Sequence, residues 1–342
     1  MSAANPKLIR AIFHFAWLSI IVLLVLEWLG LSLTGGWEYV PFVVSMLFLG
    51  LPHGAIDHLV PYRLKNRSFT LRSLVIFLLG YILIAGFYGV LWWWATAASA
   101  VFFILLTWFH WGQGELYIVE KFISPGNRRF WRSLLLIIVR GGLPMLVPLF
   151  AFPTVYLDFV NEMISIFGPS QQITVSLGAL EPFITSVQWI YILVTALYLL
   201  IEVIDASQND LMRGWYIDTA EIGLLWLFFS FVNPILAVGV YFCVWHSIRH
   251  IARLLLIDTA SAKYLEEGHF WMASFRFFRD SAPLTIVSLL FLGGLYFAIG
   301  TVQASTQELI ALYLVLISML TLPHTLVVCW MDYRENTWLL RY

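Results

Sequence analysis

Charged residues are scarce in this sequence. Lys, Arg, Asp and Glu together make up 11% of its 342 residues, whereas 61% of the residues are hydrophobic. A soluble domain carries roughly 25% charged residues, so this chain has too little charge to hydrate a globular surface, and a water-soluble protein is excluded. The net charge of −1 and the lack of an extended basic segment likewise give no support to nucleic-acid binding.

Cysteine is almost absent as well. The two cysteines, Cys243 and Cys329, both fall within apolar runs, and we interpret them as small buried apolar residues rather than as a disulfide framework. The sequence also has no extended soluble region, low-complexity tract or clear internal repeat. It therefore predicts a single domain over residues 1–342.

Long apolar runs are abundant, and a membrane-spanning helix needs about 20 mostly apolar residues. Between eight and ten spans are acceptable, and ten is the preferred count. The candidate spans are 11–33, 38–58, 73–95, 98–119, 131–151, 185–204, 216–232, 234–257, 282–302 and 308–331. The fold class predicted is all-α, a polytopic integral membrane helical bundle embedded in the lipid bilayer.

The distribution of basic residues supports ten spans, because Lys and Arg concentrate in cytoplasmic loops. Arg140 lies well inside a predicted span, and Arg249 and Arg253 lie in the cytoplasmic half of the span 234–257. The connections that contain no Lys or Arg are 34–37, 96–97, 152–184, 233 and 303–307. This pattern predicts a multi-pass protein of the cell membrane with both termini in the cytoplasm. The long outer connection 152–184 is expected to contain a short interfacial helix.

Five of the eight histidines share one depth in this topology. Counted along the predicted spans at 1.5 Å per residue, they lie roughly 18 to 24 Å from the outer surface, in the cytoplasmic half of the membrane. They are His53, His110, His246, His250 and His324. His58 lies just below this layer, and His14 and His269 lie away from it.

His246 and His250 are four residues apart, so a helix places both side chains on one face and can present them to one metal ion. An isolated pair of this kind is weak support, because it arises by chance in many helices. The shared depth with His53 and His110 is stronger, since ionisable residues inside a membrane mark functional sites. The sequence therefore predicts a metal site formed by these four histidines.

Three further residues are candidates for supporting positions around the metal. Asp57 and Glu221 could each accept a hydrogen bond from a ligating histidine, which orients its ring. Glu221 lies at nearly the same predicted level as His250, so we expect it to contact His250 or His246. His324 follows Pro323, which frees a backbone carbonyl in the helix. A purely structural role for His324, in which it bonds to that carbonyl, is favoured over metal ligation.

Four short motifs on these helices resemble one known family. "GLPHGAIDH", "WFHWGQGE", "YFCVWHSIRH" and "TLPH" occur in this order between residue 50 and about residue 332. They resemble the Brp/Blh family of membrane-bound β-carotene 15,15′-dioxygenases. The four proposed iron ligands of that family correspond to His53, His110, His246 and His250, the same four that the depth comparison selects. Asp57 and Glu221 match acids of the family pattern.

The resemblance implies an activity. It implies a non-haem Fe(2+) centre that uses O2 to cleave β-carotene at its central 15,15′ double bond, giving two all-trans-retinal for delivery to a rhodopsin-type protein. The histidines alone would also admit zinc or copper. Trp108, Trp111 and Trp245 border these histidines, and we expect them to line the tunnel for the polyene.

Two other functions are compatible with buried histidines. A membrane di-iron hydroxylase or desaturase acting on carotenoid or lipid needs about eight clustered histidines, and this chain has one HxxxH and no HxxHH. A metal or proton transporter would use the buried His, Asp and Glu residues as a relay. It would need polar pathways on both sides, and the outer halves of the spans contain few ionisable residues.

Overall fold

The computed structural model describes residues 6–65, 70–125, 129–167, 176–209, 211–299 and 305–337. Within these ranges the chain is helical apart from short connections, and it contains no strand. The helices are α1 (Pro6–Trp28), α2 (Trp37–Lys65), α3 (Leu71–Trp94), α4 (Thr96–Ile118), α5 (Phe130–Ala151), α6 (Pro153–Ser165), α7 (Leu177–Gln208), α8 (Met212–Phe231), α9 (Pro234–Ile257), α10 (Thr259–Glu266), α11 (Phe270–Ile299) and α12 (Thr306–Glu335).

Eight of these helices are long and apolar enough to cross a membrane: α1, α2, α3, α5, α7, α9, α11 and α12. Their outward side chains are apolar and exposed, as at Leu83 and Leu290, each 71% exposed. Their inward faces bury polar groups, including Arg140, which is fully buried. This distribution suits a protein surrounded by lipid, and it confirms the polytopic helical bundle.

The remaining two predicted spans correspond to α4 and α8. These helices are 23 and 20 residues long, which gives each about 30 Å or more at helical rise. Neither is among the eight helices, and both carry buried acids, Glu115 in α4 and Asp218 and Glu221 in α8. The preferred count of ten spans therefore stays a prediction.

The connection 152–184 contains the expected short helix, α6. It packs against α4, α5 and α12 and buries Leu157, Met163 and Ile164. Residues 168–175 of this connection lie outside the described residues. The short helix is thus part of the bundle wall instead of a separate surface segment.

Helices α4 and α5 cross at two glycines. A Cβ atom added at Gly112 would overlap the carbonyl oxygen of Ile137, and one added at Gly141 would overlap that of Trp108. Trp108 also donates its indole N–H to the carbonyl oxygen of Ile138 at 2.9 Å. Small residues allow such close helix approach in membranes, where van der Waals packing drives association.

We expect Gly141→Ala to lower the thermal stability of the detergent-solubilised protein, because the methyl group must push α4 and α5 apart. Overpacking of this kind typically costs about 1–3 kcal/mol. Gly223→Ala is the matched control, since nothing lies within 4 Å of a Cβ at that helical glycine. Equal melting temperatures for the two variants would contradict close packing at this crossing.

Candidate metal centre

Five imidazole rings from four helices meet inside the bundle. The ring of His53 (α2) lies 5.6 Å from that of His246, 5.4 Å from that of His250 and 5.1 Å from that of His324, between centroids. The ring of His110 (α4) lies 5.0 Å from His246 and 4.8 Å from His324. All five side chains are buried. The predicted common layer of histidines is therefore present.

His246 and His250 project from the same face of α9, as their spacing predicted. Their rings are nearly parallel, with an interplanar angle of 8° and centroids 6.3 Å apart. His246 lies in a π-helical stretch, Tyr241–Ser247. A second π-helical stretch, Ser45–Leu49, precedes His53 in α2. Such stretches are rare and occur frequently at functional sites.

Hydrogen bonds hold two of the rings so that one nitrogen faces the cluster. Nδ1 of His53 lies 2.9 Å from the carbonyl oxygen of Leu49, and Nδ1 of His324 lies 2.8 Å from Oδ2 of Asp57. Because both oxygens are acceptors, each Nδ1 must carry the proton, and each Nε2 keeps a lone pair. Metal-binding histidines are commonly oriented in this way.

The cluster has the donor atoms of a metal site. Nε2 of His110, His246, His250 and His324 is buried without a hydrogen-bond partner in the protein. Buried polar atoms are nearly always paired, so several unpaired nitrogens within one cluster indicate a common partner. His53, His110 and His324 each offer a nitrogen within 4.8 Å of the others. The residues therefore fit a metal ion bound by imidazole.

Asp57 is next to the cluster, and its partner is His324. The sequence placed Asp57 one turn after His53 and predicted that it would support a ligating histidine. In the structure its carboxylate accepts from the His324 ring and from the hydroxyl of Tyr81, the latter at 3.3 Å. The His53 ring bonds to its own helix instead.

Glu221 is not at the predicted contact with His246 or His250. Its Oε1 accepts from the Trp17 indole at 2.8 Å and from Arg249 at 2.7 Å, and its Oε2 accepts from Arg140. Depth along a helix follows from the rise per residue, whereas the direction of a side chain depends on how the helix is rotated within the bundle. Two arginines face Glu221 from α5 and α9.

These contacts belong to a buried ion-pair network that the sequence reading missed. Arg140 pairs with Glu115, Asp218 and Glu221, and Arg249 pairs with Glu115 and Glu221. The network links α4, α5, α8 and α9, and it includes both helices that carry His110, His246 and His250, which are α4 and α9. The available signal was the presence of Glu115, Asp218 and Glu221 on the same side of the predicted bundle as Arg140.

The other histidines lie away from the cluster. His14 and His269 are exposed, as the sequence indicated. His58 turns its Nδ1 to the carbonyl oxygen of Ala55 at 2.9 Å. Among the residues that the structure describes, five histidines converge and these three do not.

A cavity of about 720 Å³ reaches four histidines of the cluster, His53, His110, His246 and His324, and is also lined by His58. Its walls are mostly apolar. They include Phe42, Ile104, Trp111, Phe159, Phe242 and Leu320. Of the three tryptophans expected to line a tunnel, Trp111 does so, whereas Trp245 donates its indole N–H to Glu115 and Trp108 to the backbone of α5.

The cavity reaches the outer face of the bundle between α3 and α11. Ile82 of α3 and Val287 and Phe291 of α11 line it, yet their side chains are 64%, 58% and 48% exposed. Residues that line a cavity while remaining exposed form its rim. The opening therefore lies on the apolar surface that faces lipid.

Comparison with known proteins identifies related sequences over nearly the whole chain. The model of a family described as Beta-carotene 15,15′-dioxygenase matches residues 44–332. A protein named Probable beta-carotene 15,15′-dioxygenase Blh, from Halobacterium salinarum, is 36% identical over 332 residues, which cover 96% of this chain and 94% of that protein. No solved structure matches the chain.

Two more distant relatives have similar names. A Probable beta-carotene 15,15′-dioxygenase Brp of Halobacterium salinarum is 27% identical, over 87% of this chain and 84% of that protein. A Beta-carotene 15,15′-dioxygenase from uncultured marine bacterium 66A03 is 24% identical, over 90% of this chain and 94% of that protein.

We expect Glu221→Gln to reduce thermal stability without selectively removing metal, because the carboxylate contacts Arg140 and Arg249 instead of histidine. Breaking a buried ion pair by removing one partner typically costs about 3–5 kcal/mol, and the amide should recover part of this. Thermal unfolding and metal content per folded molecule should be measured together. Glu181→Gln, at an exposed position of α7, is the control. Loss of metal at an unchanged melting temperature would restore the predicted contact with histidine.

Proposed function

We propose a mechanism for this chain on the premise that it belongs to the beta-carotene 15,15′-dioxygenase family, as the match over residues 44–332 shows. It is an oxidoreductase of the membrane that cleaves β-carotene at the central 15,15′ double bond to two molecules of retinal. The observation that carries this function is an apolar cavity ending on buried histidines. Its volume is within the ~300–1,000 Å³ typical of small-molecule sites.

The metal in this proposal is Fe(II), bound by His53, His110, His246 and His250. Neutral imidazole ligands suit this ion and leave its two positive charges uncompensated by the ligands themselves. When bound, iron supplies the activation of O2 that scission of a carbon–carbon double bond requires. In the overall reaction one O2 molecule provides the two carbonyl oxygens, one for each retinal.

The protein itself orients ligands and substrate. The Leu49 carbonyl and the Asp57 carboxylate hold His53 and His324 with Nε2 turned inward. The apolar walls keep water from the reacting bond, which limits side reactions. Since the walls offer few hydrogen-bond partners, the position of the polyene must be set mainly by the shape of the cavity.

The opening between α3 and α11 supports entry of the substrate from the bilayer. β-Carotene is apolar and dissolves in the lipid, so it can reach the rim formed by Ile82, Val287 and Phe291 without crossing water. Retinal can leave by the same route and reach a rhodopsin-type protein within the membrane. We further propose that the protein resides in the cell membrane with both termini in the cytoplasm, as the distribution of Lys and Arg predicts.

The geometry does not favour the two alternatives. A di-iron hydroxylase or desaturase needs more clustered histidines than the five that converge here, because His14, His58 and His269 lie elsewhere in the described part of the chain. A transporter needs a polar pathway, whereas the cavity at the histidines is apolar and opens toward lipid.

Single replacement of His53, His110, His246 or His250 by Ala is expected to reduce retinal formation to background, because each removes a nitrogen donor from the metal. The measurement is chromatography of pigments extracted from β-carotene-producing cells that express each variant. Membrane insertion should be verified by detecting the variant in the membrane fraction. The exposed residues His14 and His269, replaced by Ala, are the controls. A variant of the four that retains near-normal activity would show that its histidine is not a required ligand.

Ala85→Phe should lower β-carotene cleavage at least tenfold while metal content stays that of the parent. Ala85 is buried in α3 and lines the cavity, so a phenyl ring there occupies space needed by the polyene. Leu83→Phe, on the lipid-facing side of the same helix, is the matched control. Unchanged cleavage by Ala85→Phe would mean that the substrate does not occupy this part of the cavity.

A further inference from the structure

We propose that His324 is a fifth ligand of the metal and that Asp57 is the residue that positions it. The proposal depends on the proposed function only in requiring a metal at the histidine cluster. Neither the HxxxH pair of α9 nor the spacing of the family motifs assigns this role to His324.

His324 lies inside the cluster, not beside it. Its ring is 4.8 Å from His110, 5.1 Å from His53 and 5.3 Å from His250, between centroids. The separation from His110 is the shortest of the ring separations in the cluster. One ring nitrogen of His324 also lies within 4.8 Å of a nitrogen of both His53 and His110. A metal reached by those two rings is therefore within reach of His324.

The hydrogen bond to Asp57 determines which nitrogen of His324 is available. Nδ1 faces Oδ2 of Asp57 at 2.8 Å, and the carboxylate can only accept, so Nδ1 carries the proton. Nε2 then keeps a lone pair, and it is buried without a hydrogen-bond partner. A carboxylate–histidine pair of this kind is the usual support of a ligating imidazole.

A purely structural role for His324, bonding to a carbonyl freed by Pro323, does not agree with these contacts. A histidine that merely compensates for the helix break at Pro323 would bond to a backbone carbonyl. Nδ1 of His324 bonds to Asp57 instead. The ring is thus held by α2 from across the bundle, 267 residues away in sequence.

The charge of Asp57 also points to a cation in the cluster. Asp57 is 1% exposed, and its Oδ1 has no hydrogen-bond partner. Within the described residues, its one ion-pair contact is with His324, and no Lys or Arg pairs with it. A buried carboxylate is costly without a positive partner. A dication on the far side of the His324 ring would supply that charge through the imidazole.

The test uses the purified full-length protein in detergent, loaded with Co(II), whose visible absorption reports the number and type of its ligands. We expect His324→Ala to lower Co(II) affinity by more than tenfold and to change the visible bands. Added imidazole should restore the bands of the parent, because it can replace the missing side chain. Asp57→Asn should lower affinity roughly 10–100-fold with a smaller spectral change, since the ligand set is retained.

Two reference variants make the result decisive. His58→Ala, whose ring bonds to its own helix, should bind Co(II) like the parent, and His246→Ala should not. If His246→Ala loses Co(II) while His324→Ala keeps both affinity and spectrum, His324 is not a ligand and the proposed function stands. A parent protein that binds neither Co(II) nor Fe(II) would overturn both. If His324→Ala does not fold, parent-like Co(II) affinity in Asp57→Asn would overturn the proposal.

Discussion

The interior of a lipid bilayer offers no water, so every buried polar group of this protein needs a partner inside the protein. That constraint explains the helical backbone and also the arrangement of the side chains. Arg140 is fully buried and is surrounded by Glu115, Asp218 and Glu221. Burying any one of these charges alone would cost much free energy. As ion pairs they join helices that are distant in sequence.

The ion-pair network and the histidine cluster depend on each other. Glu115 lies five residues beyond His110 on α4, and Arg249 directly precedes His250 on α9. Since Arg249 pairs with Glu115, the contact holds the two helices that carry three of the five converging histidines. The close crossing of α4 and α5 at Gly112 and Gly141 fixes α4 from its other side. A rigid ligand set needs such support, because histidines on separate helices would otherwise move independently.

The cavity combines polar imidazoles at one end with apolar walls, and this combination matches the proposed reaction. Imidazoles lie at one end of the cavity, while aromatic and aliphatic side chains such as Trp111 and Phe159 surround the remainder. A substrate already dissolved in lipid needs a lateral opening, and exposed residues of α3 and α11 form one. In the proposed function, the bilayer that forces polar groups inward also delivers the substrate to them.

The sequence predicted some features of the structure better than others. Hydropathy and length predicted the helical membrane class, and the depth of the histidines predicted that His53, His110, His246, His250 and His324 share a layer. Both properties depend on residues close together in one helix. The number of spans is harder to predict, because α4 and α8 carry the buried acids Glu115, Asp218 and Glu221, and charged residues make a span difficult to recognise from composition.

By itself, the sequence determined the class of fold and indicated which histidines converge, because both follow from helical rise and from the cost of burying polar groups in lipid. Only the tertiary structure decided which side chains pair. Glu221 meets Arg140 and Arg249 instead of a histidine, and Asp57 holds His324 instead of its helical neighbour His53. Such choices depend on how each helix is rotated and packed against helices up to 267 residues away, and no local pattern of residues specifies that rotation.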